Sequence, residues 1–152
     1  MADTLREKII KHIVATLESY GSYVAIPAPE VFRGQELFDP DVDPLPVITV
    51  MPGVEEAERS RYGSTLCTMP VDISCLISFG ENNPSELGEA VLGELITAAL
   101  SSLPADAEDL EYAGGGILEY PDQMGQRTLT AGIVINVKYE TDIGDPYNLT
   151  TT

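Results

Sequence analysis

The one histidine of this chain, His12, is the residue with the widest catalytic use, and it directly precedes an apolar helix position, Ile13. A histidine can activate a serine or cysteine nucleophile. However, no serine stands in the Gly-x-Ser-x-Gly context of a nucleophile elbow, and neither cysteine falls in a segment expected to form an active-site loop. We therefore predict no catalytic residue and expect the protein not to be an enzyme.

Three aspartates at alternate positions, Asp39, Asp41 and Asp43, match the first three ligands of an EF-hand calcium loop. The sixth position of such a loop should be glycine but is Pro44, and the twelfth should be glutamate but is Val50. The EF-hand interpretation therefore fails. Weak calcium binding and an acidic surface loop are the interpretations that remain, and we predict no metal site.

A run of three glycines at residues 114–116 could cradle a phosphate group only within a suitable loop. The run lacks the Lys-Ser/Thr pair of a phosphate-binding loop, and it does not open a predicted helix. A hairpin corner or a flexible join between strands explains these glycines better. We therefore predict no cofactor.

The charge balance restricts the partners of the protein. Its 25 acidic and 8 basic residues give a net charge of −17. A surface this negative repels phosphate backbones, so a nucleic-acid grip based on counterion release is excluded. Solubility and the repulsion of passing DNA both fit this balance. The chain has no apolar run of about 18 residues, and residues 1–8 lack the apolar core of a signal peptide, so we predict a cytoplasmic protein or part of a particle assembled there.

The two cysteines, Cys67 and Cys75, are eight residues apart in one predicted strand. At the rise of an extended chain their Cα atoms would be roughly 26 Å apart, which is far beyond the reach of a disulfide. We therefore predict two small buried hydrophobic residues and a reducing compartment.

Two long stretches of strict alternation dominate the sequence. Apolar residues occupy every odd position from 67 to 79 and every odd position from 129 to 139. A period of two over this length predicts strands with one buried face and one wet face. Both stretches are longer than the usual strand of about 5–6 residues. Pro70 in the first stretch predicts a sheet edge or a bend.

Shorter patterns complete the predicted elements. A helix is predicted at residues 4–20, where Thr4 and Glu7 form a capping box, and a second helix is predicted after the N-cap residue Asn83 and Pro84. Further strands are predicted at residues 23–26, at residues 45–51 and within residues 109–120, and loops are predicted at residues 34–44 and 55–61.

Two helices among these strands predict an α+β fold. The economical arrangement is an antiparallel or mixed sheet with both helices packed on one face. With 152 residues, of which 43% are hydrophobic, the chain can build its own core. We predict a single domain at residues 1–147 and a flexible C-terminal tail at residues 148–152.

Two short segments suggest a family. The sequence Leu-Pro-Val-Ile-Thr-Val occupies residues 45–50, and Val-Lys-Tyr-Glu-Thr occupies residues 137–141, shortly before Asp145 and Pro146. With the N-terminal amphipathic helix and the Pro/Asp loop, this layout resembles the tail-terminator and tail-completion proteins of tailed bacteriophages. A Leu-Pro-x-Ile-x-Val strand and a terminal Val-x-Tyr-x-Thr…Pro segment recur in that family. The resemblance covers residues 5–147.

The resemblance implies a structural virion protein that assembles as a ring, typically of six copies. Such a ring caps the finished tail tube, stops its polymerisation and joins the tail to the head-side connector. The implied partners are further copies of the chain, the tube protein and the head–tail connector protein. DNA passes through without specific binding and no membrane is involved. The implied location is the phage tail of the virion, assembled in the cytoplasm of a bacterial host.

The resemblance also directs attention to charged residues that could meet a neighbouring copy or line the channel. Open strand edges and wet strand faces are expected to contact neighbouring copies, and the loop at residues 33–44 is expected to reach the next copy. The candidate contact residues are Arg33, Asp39, Asp41, Asp43, Glu55, Glu56, Arg59 and Arg61. For the last two arginines, an ion pair with a partner and a solvated charged loop are both open.

Two other interpretations stay open. Another tail, neck or baseplate subunit would share this kind of architecture, and only its position in the particle would distinguish it. An unrelated soluble enzyme or ligand-binding domain would need a deep apolar pocket with converging polar groups. The small number of histidine, lysine and arginine residues in the chain counts against that last interpretation.

Overall fold

The computed structural model describes residues 2–34, 46–60, 63–119 and 127–148. Within these ranges the elements are helix α1 (Leu5–Ser19), β1 (Glu30–Arg33), β2 (Val47–Pro52), β3 (Glu56–Arg59), β4 (Ser64–Ser78), helix α2 (Pro84–Ala99), β5 (Asp109–Glu119) and β6 (Thr128–Asp142). The strands form one sheet in the order β1-β2-β4-β6-β5, and β3 also pairs with β4. Strands β1 and β2 are parallel and the other pairs are antiparallel. The predicted α+β class with a mixed sheet is confirmed.

The pairing of β4 with β6 is the centre of the sheet. The two strands match at every position from the pair Ser64–Asp142 to the pair Ser78–Thr128. Because side chains alternate between the two faces, the odd residues of both strands point to the same side. These odd residues are buried along most of the ladder, and Ile73 at its centre is fully buried. The two long strands predicted from alternation are confirmed.

Both helices pack on the face that carries these odd residues. Helix α1 lies against the β1 end of the sheet, and α2 lies against β5 and β6. The apolar stripes of the helices join the odd strand residues in one buried cluster, to which the helices contribute Leu5, Ile9, Ile10, Ile13, Leu17, Val91, Leu92, Leu95, Ala98 and Ala99. Each fully buried leucine or isoleucine stabilises the fold by about 1.5–3 kcal/mol relative to an exposed one. The predicted packing of both helices on one face is confirmed.

Side chains accept hydrogen bonds from backbone N–H groups at the start of both helices, but the Glu7 carboxylate pairs with Arg33 instead of completing the predicted capping box. The Thr4 hydroxyl accepts a hydrogen bond from the Glu7 N–H at 3.1 Å. The Asn83 side chain accepts hydrogen bonds from the N–H groups of Ser85 at 2.9 Å and Glu86 at 3.2 Å. Such caps each contribute about 1 kcal/mol.

Residues 23–26 do not form the predicted strand. Their N–H groups turn to the carboxylate of Glu94 on α2, which accepts hydrogen bonds from Val24 at 2.7 Å, Ala25 at 2.6 Å and Ile26 at 3.3 Å. Backbone groups held by a carboxylate cannot also join a strand ladder. The prediction failed because the competing acceptor lies far away in the sequence.

The segment predicted as a charged loop at residues 55–61 contains strand β3. It pairs with β4 from Glu56 opposite Thr68 to Arg59 opposite Thr65. All four β3 residues are exposed, so the strand has no buried face and carries no apolar alternation. The prediction of a loop there is wrong for Glu56–Arg59.

Pro70 does not lie on a sheet edge, because β4 has strands on both sides. It lies opposite the break between β2 and β3, where the Gly53 N–H donates a hydrogen bond to the Pro70 carbonyl at 2.7 Å. A regular ladder would require a reciprocal N–H at this point, which proline lacks. The break in the neighbouring strand is therefore what allows a proline within a central strand.

Two adjacent glycines of β5 provide a test of how closely β5 and β6 pack. A Cβ at Gly115 would lie 2.6 Å from the Gly132 carbonyl oxygen, whereas a Cβ at Gly116 would meet nothing within 4 Å. We expect Gly115→Ala to lower the free energy of unfolding by about 1–3 kcal/mol through overpacking.

The matched control is Gly116→Ala, for which we expect a change of no more than about 0.5 kcal/mol. Urea denaturation of the parent and both variants measures the difference. Equal stabilities of the two variants would contradict the close approach of β5 to β6 at Gly115.

Candidate binding face

The sheet face opposite the helices carries the even residues of β4 and β6. Register places these residues in cross-strand rows. One row runs from Met51 through Asp72 and Val134 to Gly114, across four strands. The next row contains Thr49, Ser74, Gly132 and Gly116, and the Thr49 and Ser74 hydroxyls are hydrogen-bonded at 2.8 Å. No described helix packs on this face, and Met51 and Asp72 on it are exposed.

The negatively charged side chains of the strands lie on one face of the sheet. Among strand residues whose side chains the structure describes, every carboxylate lies at a register position on the helix-free face. These residues are Glu30, Glu56, Glu58, Asp72, Asp109, Glu111, Glu140 and Asp142. Lys138 is the one described strand cation on that face, whereas Arg33 and Arg59 belong to the other face. We call this surface the acidic face.

An apolar groove of about 360 Å³ lies in the middle of the acidic face. Met51 and Leu118 stand on either side of it, with exposed fractions of 36% and 61%. Its floor includes Val134 and Gly132. Leu118 is the extra residue of an irregularity in β5, since Ile117 and Glu119 pair with consecutive β6 residues. This irregularity turns Leu118 over Gly132, where a Cβ would lie 2.7 Å from the leucine Cδ1.

A second groove of about 690 Å³ lies further along β4 and β6. Glu56, Glu58 and Glu108 line it together with Lys138. The lysine ammonium lies 3.2 Å from a carboxylate oxygen of Glu111, so the cation of this face is already paired. Six of the eight strand carboxylates of the acidic face lie on this side of the apolar groove, Asp72 lies within it and Glu30 lies on the other side.

Arg33, a candidate contact residue, lies at the end of β1 and forms a two-armed ion pair with Glu7 of α1. This hydrogen bonding lowers the pKa of the Glu7 carboxyl and raises the pKa of the Arg33 guanidinium. The pair joins the edge strand to the helix above it. A partner could approach Arg33 from solvent, but the guanidinium already has an internal carboxylate partner.

Glu55, the second described candidate, belongs to an internal cluster. It accepts a hydrogen bond from the Tyr139 hydroxyl and lies 3.7 Å from the Arg6 guanidinium. Burial, followed by the hydrogen bond to Glu55, raises the pKa of Tyr139. The phenol is therefore a neutral donor across the physiological range, and Glu55 ties β6 to the segment that precedes β3.

The remaining candidates divide into two groups. Glu56 and Arg59 lie fully exposed on β3, and their side chains point to opposite faces of the sheet. Asp39, Asp41, Asp43 and Arg61 lie outside the described residues. The described candidates do not form one site, because Arg33 lies on β1 and the others lie on or next to β3.

The structure places His12 beside a serine. Its Nε2 atom lies 3.1 Å from the Ser102 hydroxyl and 3.3 Å from the Ser102 carbonyl oxygen. These contacts link α1 to the segment that follows α2. In the described ranges, no carboxylate contacts the imidazole to orient it as a catalytic triad would require, and no group of three or more potential metal ligands is found there.

Sequence reasoning found part of the acidic face. The alternation placed Asp72 and Ser74 on a wet face, as observed. It did not identify the apolar groove, because Leu118 reaches this face only through the irregular pairing of β5. The three consecutive glycines were the available signal, since they mark a segment that adopts uncommon backbone geometry, with φ of 142° at Gly114.

Comparison with known proteins does not identify a family. No protein-family model matches the chain, and no curated protein matches its sequence. Within the described residues, neither helix has the length and apolar character needed to cross a membrane. The tail-terminator resemblance therefore remains a prediction based on the two short segments described above.

The cysteines provide a test of the core. Cys67 and Cys75 are free and buried, and burial raises the pKa of both thiols, that of Cys75 to about 12. Because the thiolate is the reactive form, we expect both thiols to react with Ellman's reagent at least about a hundredfold more slowly in the folded protein than in denaturant.

The control is Ser22→Cys, which adds a thiol at an exposed position and should react fast without denaturant. Rapid reaction of two thiols in the folded parent protein would contradict the burial of the strand that carries them.

Proposed function

We propose that this protein is a structural subunit of a tailed-bacteriophage particle that forms a ring at the end of the tail tube. In this role the ring stops tube polymerisation and joins the tail to the head-side connector. The proposal rests on the open edges of the sheet. Strands β1 and β5 end the sheet, each with one described strand partner, and β3 is exposed at every residue. Unpaired edges are surfaces on which a further chain can add.

The two segments that carry the resemblance lie in the strands on either side of β4, residues 47–50 in β2 and residues 137–141 in β6. Residues 47–50 pair with residues 73–76 of β4, whereas residues 137–141 pair with residues 65–69, so the segments lie at different points along β4. An interface that joins one edge of a subunit to a different edge of the next closes into a ring when the rotation permits.

Net charge supports the proposal that DNA passes without binding. The chain carries a net charge of −17, and a ring of such subunits would surround DNA with a negative potential. DNA would be repelled from the wall of the channel. A different tail, neck or baseplate subunit would share these features, and the position in the particle distinguishes the two roles.

A small-ligand domain is a weaker candidate. The apolar groove has a volume within the range of about 300–1,000 Å³ that is typical of ligand pockets. However, it lies on an open sheet face and contains few polar groups besides Asp72, Thr49 and Ser74. Enclosed pockets with converging polar groups bind small molecules more effectively.

Native mass measured over a range of protein concentrations tests the ring. We expect a closed oligomer, and six copies of the 16.4 kDa chain would have a mass of about 98 kDa. The buffer should contain moderate salt, because the negative charge of each subunit opposes assembly. A monomer at every concentration would contradict self-assembly and favour the small-ligand alternative.

The predicted role of the acidic loop is tested by replacing Asp39, Asp41 and Asp43 together with asparagine. If these carboxylates contact the next copy, we expect the oligomer to dissociate at a concentration at least about tenfold higher than the parent. Substitution is preferable to deletion, because parallel strands such as β1 and β2 need a connection of a dozen or more residues.

The matched control for this variant replaces Glu81, Glu86 and Glu89 together with glutamine. These three residues are exposed, and the change in net charge is the same. Equal dissociation concentrations for the two triple variants would contradict a specific role of the acidic loop while leaving the ring itself intact.

A further inference from the structure

Lysine and arginine residues are unevenly distributed along the chain, and this affects the charge of the acidic face. No lysine or arginine occurs between Arg61 and Arg127. This basic-free stretch supplies all of β4, α2 and β5. Three carboxylates of the acidic face, Asp72, Asp109 and Glu111, come from it and are exposed. The acidic face therefore has few internal cations to neutralise it.

The apolar groove contains one of these carboxylates and adjoins the others. Asp72 lines the groove, and by register it lies directly between Met51 and Val134. Glu111 is paired with Asn136, one residue pair further along the face from Val134, but the Lys138 ammonium lies 3.2 Å from its carboxylate. Asp72 is therefore the carboxylate that a ligand seated in the groove meets first, and the next side chains on the same face lie about 6.7 Å further along each strand. An apolar centre with a charged rim is the usual anatomy of a protein interface.

The negative charge of the acidic face excludes several kinds of binding partner. Two acidic faces would repel each other, so a symmetric contact between two copies through this face is unfavourable. DNA, RNA and anionic membranes are repelled for the same reason. Other surfaces of the chain offer few cations, and Arg6, Lys11 and Arg33 already have carboxylate partners. The complementary occupant is a positively charged segment of a different protein.

We propose that the acidic face is a docking surface for a basic segment of another protein, with an apolar side chain of that segment seated in the groove between Met51 and Leu118. Asp72 and the carboxylates further along the acidic face attract lysine or arginine residues two positions from the apolar residue, because alternate side chains of an extended segment share one side. An extended segment suits this face, because its alternate side chains repeat at the same spacing as the cross-strand rows. This inference goes beyond the ring, because it holds for a monomer and for an assembled subunit alike.

The probe is a fluorescein-labelled peptide of sequence Lys-Ser-Leu-Ser-Lys, which in an extended conformation places the leucine and both lysines on one side, and its binding is followed by fluorescence anisotropy. We expect saturable binding that weakens as salt rises from 50 to 300 mM, since added salt screens exposed charges. A Lys-Ser-Ser-Ser-Lys peptide removes the apolar side chain, and a Glu-Ser-Leu-Ser-Glu peptide reverses the charge. Both should bind at least about fivefold more weakly than the first peptide.

Two protein variants locate the site. Leu118→Ala removes one wall of the groove, and Asp72→Asn removes its carboxylate. Both side chains are exposed, so folding should be retained and can be checked by circular dichroism. We expect each variant to raise the peptide Kd by about three- to tenfold.

The matched controls are Leu103→Ala and Glu89→Gln, which make the same kinds of change at exposed positions outside the sheet. Their Kd values should stay within about twofold of the parent. If Leu118→Ala and Asp72→Asn bind the peptide as the parent does, binding occurs elsewhere and the proposal is wrong. Absence of binding by the parent would also overturn it and would leave the acidic face free to line a channel.

The peptide experiment and the native-mass experiment test the docking surface and the ring independently of each other. A closed oligomer that does not bind the peptide would leave the ring intact and remove the docking surface. A monomer that binds the peptide at the groove would leave the docking surface intact and remove the ring. Native mass is therefore recorded for every variant before its peptide titration.

Discussion

The unbroken pairing of β4 with β6 is the constraint on which the rest of the structure depends. Each strand has 15 residues, and each residue has a partner in the other strand. Because side chains alternate, a shift of one residue would move an entire set of apolar side chains to the solvent face. Ile73 and Ile135 would then lose their burial, while Asp72 would enter the core. The register is therefore fixed by the burial of one face, and both helices pack on the surface that it creates.

The same register explains why the charges of the sheet are sorted. A carboxylate on the helix face would have to be buried against the apolar stripes of α1 and α2, which is costly without a partner. Strand carboxylates therefore accumulate on the other face. Arg33 is tolerated on the helix face because it lies at a strand end and pairs with Glu7. An acidic helix-free face thus follows from the fold together with an acidic sequence. It does not by itself indicate a binding site.

The burial of one sheet face does not account for the apolar groove. The groove is therefore stronger evidence for a binding site than the negative charge is. Solubility would favour polar side chains at Met51 and Leu118, which are substantially exposed. The groove also needs Gly132 beneath Leu118, where a larger residue would collide with the leucine. Exposed apolar patches often mark interaction sites. This patch also requires a glycine and an irregular strand pairing. The groove, and not the acidity around it, is the feature that a partner would explain.

Elements whose structure is determined by residues close in the sequence were predicted correctly, and elements that depend on distant residues were not. The long strands and the helix caps were predicted correctly because their signals lie within a few residues, as for Thr4 and Glu7. Residues 23–26 were assigned wrongly because their hydrogen-bond acceptor, Glu94, is about 70 residues away. Strand β3 was missed because it has no buried side and therefore no apolar period. Leu118 was missed because a single irregular pairing decides which face it joins.

The geometry of the sheet connects the two proposals. If copies join through the edges at β1, β3 and β5, neither face of the sheet is used in the contact. One face is covered by α1 and α2, so the acidic face is left open in every copy of a ring. That face then meets DNA in a channel, another protein or solvent. DNA would favour a uniformly polar, negative wall, whereas a protein partner would favour an apolar centre within a charged rim. The groove between Met51 and Leu118 has the second character, and this favours a protein partner on the open face of the sheet.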